Sequence, residues 1–189
     1  TANYTAPHLF KQYTIQNTSE VVPATDNDMI KIVADCYMFN KAVGNGAEFY
    51  ITIDGEEFIR VFADHETENS DLGLIRLEID LMRQTSKSWH ARVKGLVGGL
   101  TGFNTVKLWT LWNNNLNSAN DWAVQLYGVC TDNNQTGGTY DTRIGMWNFN
   151  ILFFPAKYEL GGGGTITDKF INQESFTASA AQVQFDVTE

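Results

Sequence analysis

The sequence predicts an all-β protein, a two-sheet antiparallel sandwich of jelly-roll type with about eight core strands. Between Met29 and Pro155 the chain consists of short alternating or β-rich runs, and clusters of Gly, Asn and Asp separate them. No amphipathic helical period lies between the runs, and the whole chain contains 3 prolines. Many short strands joined by polar loops are typical of sandwiches.

The first runs alternate in the way of half-buried strands. Ile30 to Met38 places every second side chain on one face, because successive side chains of a strand point to opposite sides. Phe49 to Ile53 does the same and is followed by Asp54-Gly55. Asp-Gly supplies the positive φ angles of a tight turn, so Phe58 to Phe62 is predicted to return as the second arm of a hairpin. In a jelly roll the connection at this point commonly crosses between sheets. The sequence therefore predicts the sandwich and leaves the strand order open.

The later runs complete the predicted sandwich. Leu74 to Met82 alternates strictly, and Trp89 to Lys94 follows a polar turn as its hairpin partner. The remaining runs are Thr105 to Trp112, Trp122 to Cys130 and Arg143 to Phe154. The last run is apolar on both faces, which is expected of a central strand or of a strand covered by a neighbouring subunit.

The chain divides into three segments. Residues 1 to 26 mix polar residues with dispersed aromatic ones, which predicts an arm that docks on another protein or extra strands of the domain. Residues 27 to 160 form the sandwich domain, and residues 161 to 189 combine a glycine linker with a C-terminal strand segment. The residues that we expect to mediate assembly are Phe10, Tyr13, Trp147, Phe149 and Phe185.

Charge and hydropathy exclude two classes of partner. The chain has 13 Lys+Arg against 22 Asp+Glu, a net charge of -9, so its field repels phosphate backbones. Residues 1 to 30 contain one Lys or Arg, Lys11, and therefore no basic arm. No run approaches the roughly 18 apolar residues of a membrane-spanning helix. We expect binding neither to nucleic acid nor within a membrane.

No catalytic constellation is evident, and the sequence predicts a protein that is not an enzyme and that needs no cofactor. The three histidines, His8, His65 and His90, fall in the arm, in an acidic loop and on the solvent face of a strand. Neither a nucleophile elbow nor a phosphate-binding loop is present. Gly95, Gly98, Gly99 and Gly102 are predicted to form a turn between strands rather than a phosphate-binding loop. Cys36 and Cys130 are predicted to be core thiols, with a disulfide as the alternative if their strands face each other closely.

Structural calcium is an alternative for the acidic loops. Four acids, Asp64, Glu66, Glu68 and Asp71, lie in one connection, and hard cations favour clustered oxygen ligands. The other interpretation is a solvated acidic loop.

Loop aromatics supply a candidate glycan site. Sugar faces stack on exposed aromatic rings that are flanked by amide and carboxylate groups. The candidate residues are Trp112, Asn114, Tyr140 and Asp141. Trp122 and Trp147 are assigned instead to the core or to a subunit interface.

Several of these runs occur in an order that carries a resemblance. Asp28-Met29-Ile30-Lys31-Ile32 opens the domain, a hairpin around Gly55 follows, an alternating strand pairs with one that begins at Trp89, and Asn120-Asp121 precedes an apolar strand. In this order they resemble the jelly-roll domains, related in shape to tumour necrosis factor, that recur in bacteriophage tail fibres, head fibres and decoration proteins. The similarity covers about two-thirds of the chain.

The resemblance implies a homotrimer that is attached to a virion through one terminus, has no cofactor and contacts other virion proteins. The chain lacks the long repetitive stalk of the usual fibre. A capsid-associated protein therefore fits the sequence as well as a receptor-binding protein of the tail. We therefore expect location in the virion, on its exterior or capsid, and a role in particle assembly or host attachment. A host surface glycan or receptor is a further expected partner. The alternative is a carbohydrate-binding module of a secreted or cell-surface protein.

Overall fold

The computed structural model describes residues 6–17, 26–40, 46–64, 72–99, 102–130, 135–136, 139–140, 142–155, 165–167 and 175–177. Throughout these residues the chain forms strands and turns, and the predicted fold class is confirmed: two antiparallel sheets, of four and five strands. The described part of the chain contains no helix that is long and apolar enough to span a bilayer.

The first compact unit comprises residues Thr1–Pro155. Its strands are β1 (His8–Ile15), β2 (Met29–Asn40), β3 (Gly46–Ile53), β4 (Glu56–Asp64), β5 (Leu72–Thr85), β6 (Ser88–Gly99), β7 (Gly102–Asn113), β8 (Trp122–Cys130), β9 (Gln135–Thr136), β10 (Thr139–Tyr140) and β11 (Thr142–Phe154). The four-stranded sheet has the order β1-β8-β3-β4, and the five-stranded sheet has the order β11-β2-β5-β6-β7. β9 and β10 pair with each other.

The second unit comprises residues Ala156–Glu189. Two short strands are described in it, β12 (Thr165–Thr167) and β13 (Ser175–Thr177), and they pair antiparallel. The glycine linker and the C-terminal alternating segment that includes Phe185 lie outside the described residues.

The predicted hairpin at Asp54-Gly55 is confirmed. Asp54 has a φ of 52° and Gly55 a φ of 82°, both in the left-handed region that a two-residue hairpin turn of this kind requires. β3 and β4 therefore pair directly within one sheet. At this connection the chain does not cross between sheets as it commonly does in a jelly roll.

A single core lies between the two sheets, and the predicted period of two determines which residues enter it. On β5, Ile75 is 1% exposed, while Leu77, Ile79 and Leu81 are 0% exposed. The predicted inward residues of β2 and β6 are buried as well. Two tryptophans fill one end of this core: Trp89 and Trp122 meet edge to face with ring centroids 4.7 Å apart. The assignment of Trp122 to the core is thus confirmed.

Residues 8 to 15, within the predicted arm, form strand β1 of the first unit. β1 pairs antiparallel with β8 and forms one edge of the four-stranded sheet. Its Phe10 ring lies parallel to the core ring of Phe49, with centroids 6.3 Å apart, so packing as well as pairing holds the strand.

Within the part of the chain that the structure describes, β11 is an edge strand rather than a central one. Among the described residues it pairs on one side, with β2, and ends the five-stranded sheet. Its register slips at a bulge between Met146 and Asn148. A central position in the sheet therefore does not explain why apolar residues occupy both faces of β11.

Of the glycines predicted to form a turn, Gly95 and Gly98 lie within β6, which continues to Gly99 before β7 begins at Gly102. Gly95 is buried, and a Cβ there would collide with Cγ2 of Val61 in the opposite sheet. The register of β6 against β7 also slips beside it. Gly95 is needed for close approach of the two sheets and not for a turn.

Cys36 and Cys130 are both buried free thiols, which confirms core thiols and excludes the disulfide alternative. Burial raises the pKa of the Cys36 thiol above its ordinary value of 9.0, and the charge of Asp35 raises it further. The folded protein therefore holds this thiol in its protonated form at a pH at which the unfolded chain ionises it.

This shift predicts that stability declines in alkali. The contribution of Cys36 is complete below its unfolded pKa of 9.0 and is lost as the pH rises from there toward the folded pKa. In this range we expect the free energy of unfolding to fall by about 1.4 kcal/mol per pH unit because of Cys36. Urea unfolding between about pH 8 and pH 11 measures the slope, and in Cys36→Ala that part of it should disappear. Equal slopes in the two proteins would contradict the prediction.

Candidate functional site

The structure does not bring the predicted glycan residues together. Trp112 and Asn114 lie where β7 ends. Tyr140 precedes β11, whose first residue Thr142 pairs with Asn40 at the other end of the sheet. Because β11 runs the length of that sheet, about 40 Å at the usual rise per residue, Trp112 and Tyr140 lie at opposite ends. Asp141 lies outside the described residues.

The loop that contains Asn114 is built around buried polar contacts. Asn113 is 2% exposed; its side-chain oxygen accepts hydrogen bonds from the backbone N–H groups of Asn115 and Leu116, both 2.9 Å long. Its amide donates to Oε2 of Glu56, at 2.7 Å. The indole N–H of Trp89 donates to the carbonyl of Leu116 at 2.9 Å. This hydrogen bond joins the core tryptophan Trp89 to the backbone of the loop.

The calcium candidates are mostly outside the described residues. Asp64 ends β4, and Glu66, Glu68 and Asp71 fall in the undescribed connection. Within the described ranges no group of three or more His, Cys, Asp or Glu side chains is placed to hold a metal ion.

The predicted assembly residues divide by exposure. Tyr13 is 40% exposed and Trp147 is 57% exposed, so both face solvent. Phe10 is half-buried against the core. Phe149 is 4% exposed and does not present a contact surface, because its ring faces inward and lies 5.5 Å from the ring of Tyr13.

The exposed apolar side chains have one property in common. All eight large hydrophobic residues that are exposed in the described structure lie on the four edge strands, β1, β4, β7 and β11. They are Leu9, Tyr13, Phe62, Leu108, Trp112, Trp147, Leu152 and Phe154. Sheet edges are where one chain pairs or packs with another, and soluble proteins usually protect them with charge.

The middle of the five-stranded sheet has the opposite character on its outer face. Asp80 pairs with Arg92 at 2.6 Å and with Lys31 at 3.7 Å, and these groups line a shallow cavity of about 360 Å³. Asp35 accepts a hydrogen bond from Nε of Arg76 at 2.6 Å, which raises the pKa of that guanidinium. Exposed pairs of this kind contribute about 0–1 kcal/mol each. Their main effect is to keep the centre of the sheet polar.

The outer face of the four-stranded sheet is also occupied by its own contacts. The rings of Tyr50 and Tyr127 stack with centroids 5.0 Å apart, and the Arg60 guanidinium covers the Tyr50 ring at 4.1 Å. Arg60 also pairs with Glu57 and Glu48. Burial raises the pKa of Tyr50, although the charge of Arg60 opposes this. This face presents little free aromatic surface.

The strands β1 and β11 form one side of the sandwich, which we call the β1/β11 flank. A groove of about 310 Å³ runs between them, lined by residues 13–15 and 149–151. Trp147 projects at the bulge, with its ring 5.2 Å from the ring of Tyr37. Leu152 is 44% exposed and Phe154 is 40% exposed. The strands β1 and β11 carry Lys11 and Arg143 and no carboxylate.

The strands β4 and β7 form the opposite side, the β4/β7 flank. The hydrogen bond from Asn113 to Glu56 joins the end of β7 to the start of β4. Leu108 is 65% exposed and Trp112 is 64% exposed, with the Trp112 ring 4.9 Å from His90. β4 carries three carboxylates and one Arg, and β7 carries one Lys. This flank is therefore apolar, and its Arg60 is paired with Glu57 and Glu48.

Sequence reasoning missed Leu108, Leu152 and Phe154 as surface residues. The signal was present, because in β7 and β11 apolar residues occupy both faces of the strand. It is ambiguous on its own, since a strand buried on both faces has the same pattern.

The sequence matches no protein-family model, no curated protein and no solved structure. The residues of this chain are therefore the basis for assigning a function.

The loop contacts predict different effects for two neighbouring asparagines. Asn113→Ala removes the bond to Glu56 and two loop hydrogen bonds, so the free energy of unfolding should fall by about 2 kcal/mol. Asn114 is exposed, and Asn114→Ala should change the free energy of unfolding by less than about 0.5 kcal/mol. Chemical denaturation followed by tryptophan fluorescence compares the two. Equal losses would contradict the role assigned to Asn113.

Proposed function

We propose that this chain is a non-enzymatic structural protein of a virion, a homotrimer that serves as a capsid decoration protein, head fibre or tail fibre. In that role it acts in particle assembly or host attachment, on the outside of the particle or on its capsid. The observation that carries the proposal is that all eight large hydrophobic residues exposed in the described part of the chain lie on the four edge strands of the two main sheets.

That distribution favours a protein whose surfaces meet other protein surfaces. Exposed apolar side chains on sheet edges are costly for an isolated domain, because edges promote association. β11 carries one charged residue in its thirteen and still leaves Trp147, Leu152 and Phe154 exposed. An assembly that covers these edges removes both the apolar surface and the unpaired strand. The sequence resemblance to phage jelly-roll domains favours a trimer as that assembly.

The net charge of -9 supports an outward position. A protein that packages a genome gains affinity by neutralising phosphates with basic residues, and the first thirty residues contain one. Contact with other virion proteins, rather than with nucleic acid, agrees with this balance.

The proposal predicts the size of the protein in solution. At micromolar concentration and moderate salt, light scattering coupled to size exclusion should give a mass three times that of one chain. A protein that stays monomeric up to about 100 µM, a concentration that detects contacts as weak as about -5.5 kcal/mol, would contradict self-assembly.

A carbohydrate-binding module is the second candidate, and one observation favours it. Trp112 exposes 64% of its surface beside the amide-rich loop that begins at Asn113, and the indole packs on His90. An exposed ring with nearby amides suits a sugar face.

This candidate predicts retention on a glycan array that is lost in Trp112→Ala. The array is run with and without calcium, since the undescribed acidic connection was a calcium candidate. Asn113 stays unchanged, so the loop keeps its buried contacts. Absence of binding by the unaltered protein in both conditions would remove this candidate and leave the structural proposal intact.

A further inference from the structure

The shallow cavity on the outer face of the five-stranded sheet and the exposed ring of Trp112 belong to one surface. Alternate residues of β7 lie on the same side of the sheet, so Trp112 shares its side with Thr110 and Leu108. Leu108 lines the cavity together with Lys94, its partner on β6, and with Arg92, which is the partner of Thr110. The row from Leu108 to Trp112 is about 14 Å long at the usual rise per residue. A single extended ligand can therefore contact both the cavity and the Trp112 ring.

The charged groups of this cavity have both signs and are incompletely paired. Asp80 forms one close ion pair, with Arg92 at 2.6 Å. Nζ of Lys31 lies 3.7 Å from Oδ1 of Asp80 and 3.9 Å from Oε2 of Glu78, and both distances are longer than a hydrogen bond. Within the described part of the chain, Oδ1 of Asp80 has no hydrogen-bond partner. The cavity therefore keeps donors and acceptors that no internal hydrogen bond uses.

The mixture of signs disfavours a charged ligand. An anionic ligand would meet the carboxylates of Glu78 and Asp80 as well as the net charge of -9. A cationic ligand would meet the three basic side chains of the lining, which are Lys31, Arg92 and Lys94. A hydroxyl group both donates and accepts hydrogen bonds. A neutral ligand rich in hydroxyl groups therefore suits donors and acceptors of both signs.

The Trp112 ring adds a second requirement, an apolar surface on the ligand. The ring is 64% exposed and is supported on one side by His90, at 4.9 Å between ring centroids. Leu108, at the other end of the row, is 65% exposed and offers a further apolar contact. Aromatic rings bind best where flat apolar surface covers them. A sugar ring combines an apolar face with hydroxyl groups around its edge, so it meets both requirements.

We propose that this surface, which we call the β6/β7 face, binds a neutral oligosaccharide along β7 from Trp112 to Leu108. The ring of Trp112 stacks on one sugar, and hydroxyl groups further along the chain of sugars hydrogen-bond to the charged side chains of the cavity. The inference rests on the carbohydrate binding put forward above as the second candidate, and it adds the surface and the class of glycan. It places the glycan on the sheet and not on the amide-rich loop.

The test compares variants of the β6/β7 face with matched controls. Trp112→Ala and Lys94→Ala alter the face. Trp147→Ala removes an exposed tryptophan at the other edge of the same sheet, and Lys87→Ala removes a lysine in the exposed turn between β5 and β6. Asn114→Ala alters the loop instead. Circular dichroism checks that each variant is folded, and Lys94→Gln provides a milder change if Lys94→Ala unfolds.

The first measurement is retention on a glycan array, and the second is titration in solution. The array carries neutral oligosaccharides of glucose, mannose, galactose and N-acetylglucosamine beside uronic-acid and sulfated glycans, and we expect retention by neutral ones. The neutral oligosaccharide that is retained most strongly is then titrated in soluble form, so that self-association of the protein adds no avidity.

In this titration we expect a loss of affinity that is confined to the β6/β7 face. Trp112→Ala and Lys94→Ala should each raise the Kd at least about tenfold, because the first removes the stacking surface and the second a charged hydrogen-bond donor. Trp147→Ala, Lys87→Ala and Asn114→Ala should change the Kd by no more than about twofold.

Other outcomes separate this inference from the candidate on which it rests. If no glycan retains the unaltered protein, both fail, and the mass measured by light scattering still decides self-assembly. If Asn114→Ala weakens binding and Lys94→Ala does not, the carbohydrate candidate stands and the β6/β7 face is wrong. An equal loss in Trp147→Ala and Trp112→Ala also contradicts this face. Retention by uronic-acid or sulfated glycans alone contradicts a neutral ligand.

Discussion

Burial of the two inner sheet faces against each other is the constraint on which the rest of this structure depends. Every inward position of β5 from Ile75 to Leu81 is at most 1% exposed, and the facing strands are as deeply buried. This interior is close-packed, so even the absence of a side chain at Gly95 matters, because Val61 occupies the space that a Cβ would take. The sheets can approach each other only because of such positions.

The same core organises one end of the sandwich. Trp89 and Trp122 bury their rings between the sheets and direct their N–H groups to the carbonyls of Leu116 and Asn117, each at 2.9 Å. A buried indole N–H without a partner is costly, so the loop is held where it can accept these bonds. Asn113 adds its own contacts to that loop and to Glu56. Core packing and loop geometry are therefore coupled.

A sandwich of open sheets also leaves edges, and this chain leaves them apolar. Ion pairs such as Asp80 with Arg92 keep the middle of the outer face polar, whereas Trp147 and Trp112 stand exposed at opposite edges. The chain carries 22 acidic residues, and charged side chains on edge strands would have discouraged association. The placement of apolar residues at the edges is the reason why assembly is the function that the geometry favours.

The sequence by itself determined the core strands from β2 onward, the inward faces of strands such as β2, β5 and β6, the hairpin at Asp54-Gly55 and the core position of Trp122. These features follow from local rules, because side chains alternate with period two and because few residues adopt a positive φ. Sequence reasoning went wrong where long-range contacts decide. It placed Gly95 in the turn between two strands, whereas Gly95 lies within β6 and lets the sheets approach, and it did not place the ring of Phe149 in the core.

Only the tertiary structure decided which strands are edges. A strand such as β11, with apolar residues on both faces, has the same sequence pattern at the centre of a sheet and at its edge. Its place is set by pairing with β2, more than a hundred residues away in the chain, and not by its own residues. For the same reason the sequence grouped Trp112 with Tyr140, which the fold places at opposite ends. Proximity between distant segments is a property of the whole packed chain, and local periodicity does not contain it.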